Sequence, residues 1–246
     1  MKKRAVTLLL CLMLVVLSLL RGFAASAAGI TPATNADFDV PCAAAILIDE
    51  DSGTVLYEKN ADARRPIASI TKVMTLLLAF EALEAGKIHL DDFVPVSEHA
   101  YHMGGSQIWL EEGETMTVAE MTKCVAVVSA NDCAVALAEA LCGSEEAFVA
   151  RMNARAAALG MTRTRYFNAN GLPPNPRRRY PWKDFNRTTA ADQLKLAREI
   201  LKRHPGILKY TSIKVRNAAE TPVRDGFGKP YPLRNHNNVM VKDARK

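Results

Sequence analysis

Apolar and polar positions along the chain change period several times, and each change marks an element. Behind Lys2-Lys3-Arg4, an apolar stretch of 16 residues runs from Ala5 to Leu20. That is short of the roughly 20 residues that cross a bilayer. Ala25-Ser26-Ala27 follows as a small-x-small cleavage site. Residues 1–27 therefore read as a signal peptide, removed on export. The polar stretch Gly29 to Asp39 links it to the body. Apolar runs at Ala43–Asp49 and Thr54–Glu58, separated by Asp51-Ser52-Gly53, predict a β-hairpin.

Helical spacing then takes over. Ser69 to Leu83 is apolar and periodic, with Pro66 ahead of it and Gly86 behind, which predicts a helix with Ser69 near its start. Phe93 to Val96 predicts a short strand, and Gly104-Gly105-Ser106 a tight loop. Thr117 to Val128 predicts a buried helix. Ser129-Ala130-Asn131 breaks it, and Asn131 or Asp132 can cap the next helix, which runs to Leu141. Ser144 is placed to cap an amphipathic helix through Leu159, closed by Gly160. Residues 161–187 read as loop. Thr188 or Thr189 starts a helix to about Arg203, and Ile213–Arg216 and Pro232–Val241 read as extended. Strands, then helices, then strands predict an α/β (α+β) domain over residues 28–246. Its antiparallel sheet is built from both chain ends, with a helical subdomain over about 80–187 inserted.

Composition changes this picture little. Hydrophobic residues are 49% and charged residues 24% of the 246 positions, an ordinary globular balance. The net charge is +6, but four basic and no acidic residues fall in residues 1–27, so the body carries only +2. No nucleic-acid partner is implied. Cys11 lies in the leader. Cys124, Cys133 and Cys142 are nine residues apart, two and a half helical turns, so neighbours in that series would face opposite ways. With no CxxC and no histidine at zinc spacing, they read as small buried apolar residues.

The sharpest chemical signal is Ser69-Ile70-Thr71-Lys72. A serine and a lysine three apart on a helix share a face. The hydroxyl needs a base to become a nucleophile, and a lysine whose pKa is depressed can be that base. A helix start also aims N–H groups at the oxyanion of an acyl-transfer intermediate. Lys72 sits amid Ile70, Val73, Met74 and Leu76, which points to burial. A second polar break, Ser129-Ala130-Asn131, places a hydroxyl and an amide between two apolar helices. Ser129 could relay a proton to the leaving group, and Asn131 could hold a substrate backbone. The bland alternatives are an N-cap serine with a solvated lysine, and an interhelix turn.

These stretches together resemble the low-molecular-mass D-alanyl-D-alanine carboxypeptidases, members of the penicillin-binding protein family with SxxK, SxN and KTG motifs. The resemblance covers roughly residues 40 to 240. It rests on Ala44–Lys59, Pro66–Thr75, Gly104-Gly105-Ser106 before Glu112-Gly113, Val128–Asp132 and Phe167-Asn-Ala-Asn-Gly-Leu172. It implies the fold shared by serine beta-lactamases and penicillin-binding transpeptidases. It also implies acylation of Ser69 by a peptidoglycan pentapeptide ending in D-Ala-D-Ala, release of D-alanine, hydrolysis, and covalent trapping by beta-lactam antibiotics. Lys72 would accept the proton, with Ser129 and Asn131 as second motif, and no cofactor or metal would take part. The enzyme would serve cell wall biogenesis outside the cytoplasm. Membrane association would come only through an uncleaved leader or a C-terminal tail.

One departure stands out. No Lys-Thr-Gly occurs in the chain, whereas the family pattern places it shortly after a segment like Arg234-Asn-His-Asn-Asn238, where its lysine binds the substrate carboxylate. The resemblance therefore implies a chain truncated before KTG, incomplete at its C-terminus, with half an active site and an open sheet edge prone to aggregation. Two other functions remain open. A beta-lactamase would need a positioned glutamate, and Glu139, Glu145 and Glu146 follow no recognised pattern for it. A peptidoglycan-binding pseudoenzyme would follow from the missing motif. His99 and His102 lack a supporting carboxylate for a metal, and His236 has no assigned role. Arg177-Arg178-Arg179-Tyr180-Pro-Trp182 reads as a solvated basic loop.

Overall fold

The computed structural model describes residues 39–174, 184–216 and 233–235. The leader, the Arg177–Trp182 run, His236 and the tail from Val241 lie outside the described residues. Two compact units are distinguishable. One holds Leu47–Glu58, and the other Ala43–Ile46 and the chain from Lys59 onward.

The expected hairpin forms from β1 (Ala45–Ile48) and β2 (Val55–Lys59). Its turn is built by Asp49, whose carboxylate accepts from Ser52 N at 2.8 Å and Ser52 Oγ at 2.6 Å. Gly53 supplies the positive φ of 72° that closes it. In the same unit Val40 N donates to the Tyr57 hydroxyl at 3.4 Å.

The larger unit opens with β3 (Arg65–Pro66) and a 3₁₀ turn (Ala68–Thr71) that runs into α1 (Lys72–Glu84). Ser69 thus lies in a tighter turn just ahead of the α-helix, whereas helical spacing alone predicts it inside one. β4 (Phe93–Pro95) precedes the short α2 (Glu98–Tyr101), then β5 (Thr115–Thr117) pairs back on β4 with Val94 opposite Met116. α3 (Val118–Val128) is capped by the Thr117 hydroxyl, which accepts from Glu120 N at 3.3 Å.

α4 (Asn131–Cys142) is the centre of this unit. Cys133 through Ala138 are all 0% exposed, so the helix is buried on every side up to its last turn. Asn131 and Asp132 do not cap it as their residue types predict. Ala130 holds the cap position without a side-chain bond; Asn131 Nδ2 and one Asp132 oxygen turn to the 104–110 loop, while the other Asp132 oxygen accepts from Cys133 N at 2.9 Å. The break before α4 also resets the helical phase. Cys124 on α3 and Cys133 on α4 therefore meet, both fully buried and hydrogen-bonded, instead of facing apart. Cys42, Cys124, Cys133 and Cys142 are all free thiols.

α5 (Glu145–Ala158) starts at Ser144 as expected, the hydroxyl accepting from Ala147 N at 3.1 Å, and buries Phe148, Met152 and Ala156. After the long loop, β6 (Arg187–Thr188) pairs antiparallel with β3, Arg65 opposite Thr188. The helical excursion therefore leaves and returns side by side. Thr189 caps α6 (Ala190–Arg203), which buries Leu196 and Ile200 at a spacing of one turn. The short α7 (Leu208–Thr211) and the pair β7 (Val215–Arg216) and β8 (Leu233–Arg234) follow. The fold is mixed helix and sheet, the class expected. Among the described residues its strands pair two by two.

Candidate active site

Ser69 is exposed, and Lys72, one turn on, is only 3% exposed. The lysine Nζ lies 3.1 Å from Ser69 Oγ. The same Nζ donates to the backbone carbonyl of Asn170 at 2.8 Å. Burial strips water from the ammonium and pushes the pKa down to about 7, while the Asp132 carboxylate pulls it back up. At neutral pH a substantial fraction of Lys72 is therefore the free amine, with a serine hydroxyl beside it.

The carbonyl that meets Lys72 is held by a dense set of side chains. Thr75 Oγ1 donates to Ala169 O at 2.6 Å, and Asn168 Oδ1 accepts from Gly171 N at 2.6 Å. Gly171 has φ +90°, and a Cβ there would sit 1.9 Å from the Ala68 carbonyl oxygen. The loop is thus pressed against the backbone just before Ser69, where Ala68 itself has a positive φ of 43°. Asn186, 2% exposed, ties the pieces together. Its Nδ2 donates to Thr71 Oγ1 at 2.8 Å and Asn168 O at 3.0 Å, and its Oδ1 accepts from Phe167 N at 2.6 Å. Glu145 Oε1 accepts from Ala169 N at 2.8 Å, and Glu145 Oε2 meets His99 Nε2 at 2.7 Å. That bond raises the His99 pKa above its ordinary value.

Ser129 ends α3 in the left-handed region, φ +60°, and its Oγ is buried with no hydrogen-bond partner among the described residues. Asn131 Nδ2 donates to Gly104 O at 2.6 Å, which fixes the amide's orientation. Asn131 Oδ1 is buried and likewise has no partner among the described residues. Orphaned buried polar atoms cost free energy, and each calls for an explanation such as strain, a catalytic role or a bound water or ion. A Cβ on Gly105 would lie 2.9 Å from Asn131 Nδ2 and 3.2 Å from Leu172 Cδ2, so the 104–106 loop packs between the second motif and the Asn170 loop.

Helical spacing exposes Ser69 and Lys72 in the sequence. The Asn170 carbonyl, Asn186 and Glu145 have no such signal. A backbone carbonyl carries no residue identity, and Asn186 acts 115 residues from Thr71. The density of asparagines in 167–172 was the available hint. Of the three glutamates weighed for a beta-lactamase, two are occupied: Ser97 Oγ donates to Glu139 at 2.6 Å, and Glu145 holds the loop; Glu146 is exposed. Among the described residues no group of three or more His, Cys, Asp or Glu is placed to hold a metal.

Known proteins of the same construction exist. The sequence model of the Peptidase_S11 family, D-alanyl-D-alanine carboxypeptidase, matches residues 30–244. The D-alanyl-D-alanine carboxypeptidase DacF of Bacillus subtilis is 43% identical over 196 residues, 80% of this chain and 46% of the relative. The crystal structure of the carboxypeptidase DacD from Francisella tularensis superposes with a TM-score of 0.68 at 33% identity, over 78% of this chain and 45% of that one. Penicillin-binding protein D2 from Listeria monocytogenes, solved in a cefotaxime-bound form, gives a TM-score of 0.67 at 26% identity, over 83% of this chain and 76% of that one. The chain spans about half the length of the first two of these relatives.

Proposed function

The chain belongs to the D-alanyl-D-alanine carboxypeptidase family, and from that premise we propose that Ser69 is acylated by peptidoglycan stem peptides ending in D-Ala-D-Ala. The observation that carries this is the 3.1 Å approach of a buried amine to an exposed hydroxyl, with the amine titrating near pH 7. Lys72 takes the Ser69 proton as Oγ bonds to the penultimate D-Ala carbonyl carbon. The Ser69 N–H, at the start of a helical turn, donates to the resulting oxyanion. The C–N bond then breaks, and the proton passes to the leaving amine, with Ser129 Oγ as relay. D-alanine departs, and water cleaves the ester to restore the serine. Asn131 Oδ1 accepts a backbone N–H of the substrate. A beta-lactam enters the same way but keeps its leaving group tethered, so the ester persists.

Incubation with a fluorescent penicillin tests this. Covalent label should appear in the wild-type chain and vanish in Ser69→Ala, and free D-alanine should accumulate from a D-Ala-D-Ala peptide. Label that survives Ser69→Ala would refute the assignment. A chain that takes the label yet releases no D-alanine would be a penicillin-binding module without turnover. Residues 1–27 act as a cleaved export signal ahead of the catalytic domain, so the reaction takes place outside the cytoplasm. No helix among the described residues is long and apolar enough to cross a membrane. Mass spectrometry of the exported protein checks the leader: a mature N-terminus after Ala27 is expected, and an intact Met1 would exclude cleavage.

A further inference from the structure

Next to the second motif lies a carboxylate with no part in the steps above. Asp132, on the first turn of α4, is 1% exposed. Both of its oxygens are used. Oδ2 accepts from Ile108 N at 3.0 Å and Leu110 N at 3.3 Å, and Oδ1 accepts from Cys133 N at 2.9 Å. Two residues that flank a third are thus drawn onto one oxygen. The residue between them, Trp109, is forced to φ +57°, a conformation that costs a bulky side chain free energy, and its ring is 44% exposed. The same loop is held at its other end by the neighbouring residue. Asn131 N donates to Ser106 O at 2.7 Å, and Asn131 Nδ2 to Gly104 O at 2.6 Å. The orientation of the Asn131 amide therefore depends on a loop that Asp132 clamps.

We propose that Asp132 is a positioning residue of the acylation site: its carboxylate clamps residues 104–110, and through them it orients the Asn131 amide and leaves Asn131 Oδ1 free for a ligand. An amide could not replace it, because three N–H donors converge on its two oxygens and an NH₂ group would face at least one of them. The clamp has an electrostatic consequence. Asp132 is the charge that opposes burial at Lys72. Lys72 on α1, Cys124 on α3, Cys133 beside it and Glu114 just before β5 are the titratable groups that act around this point. The role rests on the acyl-enzyme function proposed above, but its geometric part does not.

The test uses the full chain with Trp182→Phe, which leaves Trp109 as the one tryptophan of two. In Asp132→Asn, Trp109 emission should shift to the red as the loop loosens. Acylation by labelled penicillin should slow about tenfold, and its pH midpoint should fall by about one unit as the offsetting charge is lost. A cooperative melt identifies a folded variant. Wild-type emission, rate and midpoint in a folded Asp132→Asn would overturn the proposal. If that variant does not fold, Asp132→Glu replaces it. Glutamate keeps the charge but displaces the acceptor, so emission should shift while the midpoint stays. Unchanged emission there would overturn the clamp equally. A wild-type chain that takes no penicillin sinks the acyl function alone, since Trp109 emission still decides the clamp.

Discussion

Burial of Lys72 to 3% exposure fits it for the proposed role of base and makes the folded state weaker at once. Its folded pKa is about 7, against 10.5 for the ordinary side chain. Between those values the unfolded chain binds a proton that the folded chain lacks, so stability rises with pH across that window. Acylation should follow the same titration, climbing with pH and levelling off above about 7, which a stopped-flow pH profile with labelled penicillin would show. Lys72→Met should abolish acylation yet stabilise the fold, on the order of 2–4 kcal/mol by urea unfolding at neutral pH. A destabilised Lys72→Met would mean that the amine is not under strain. Asn186→Ala tests the support of the Asn170 carbonyl. It leaves buried donors and acceptors unpaired, so it should cost about 2–4 kcal/mol and slow acylation about tenfold.

Capping residues and apolar spacing decide where most elements begin. Ser144 and Thr189 both behave as their residue types predict, and Ser144→Ala should cost about 1 kcal/mol of stability with acylation unchanged. α4 is different, because its burial on all sides follows from its neighbours. Leu137, 0% exposed, is packed by them, and Leu137→Ala should lower stability by about 2–5 kcal/mol in a denaturant series. Asn131 and Asp132 look like caps in sequence but are not. The first turn of α4 meets the 104–110 loop, so Asn131 Nδ2 and Asp132 Oδ2 bind that loop and only Asp132 Oδ1 serves the helix's own end, accepting from Cys133 N. At the same point the helical phase restarts, which brings Cys124 and Cys133 together.

Across the larger unit, one side chain links three helices. Arg155 on α5 meets Glu81 on α1 through Nε at 2.7 Å and Glu199 on α6 through NH2. Each partner is about one-fifth exposed, so the pairs are only partly screened by water. Arg155→Ala should lower the melting temperature in low salt, by about 1 kcal/mol equivalent, with the loss shrinking as salt rises. The antiparallel β3–β6 pair brings the start of the Ser69 turn beside Asn186. Ile67 N donates to Asn186 O at 3.2 Å, two residues ahead of Ser69.

The pattern of apolar residues determined the hairpin, the run of helices and their order, because local spacing and turn chemistry act over a few residues. Ser69 and Lys72 were legible for the same reason: three residues of one helical turn bring them together wherever that turn is placed. Tertiary structure decided everything that depends on distance along the chain. It buried Lys72, it delivered the Asn170 carbonyl 98 residues away to its amine, and it set Asp132 against a loop 22 to 24 residues back. Backbone carbonyls and N–H groups look alike at every position of a sequence. Only folding chooses which of them a buried side chain will meet.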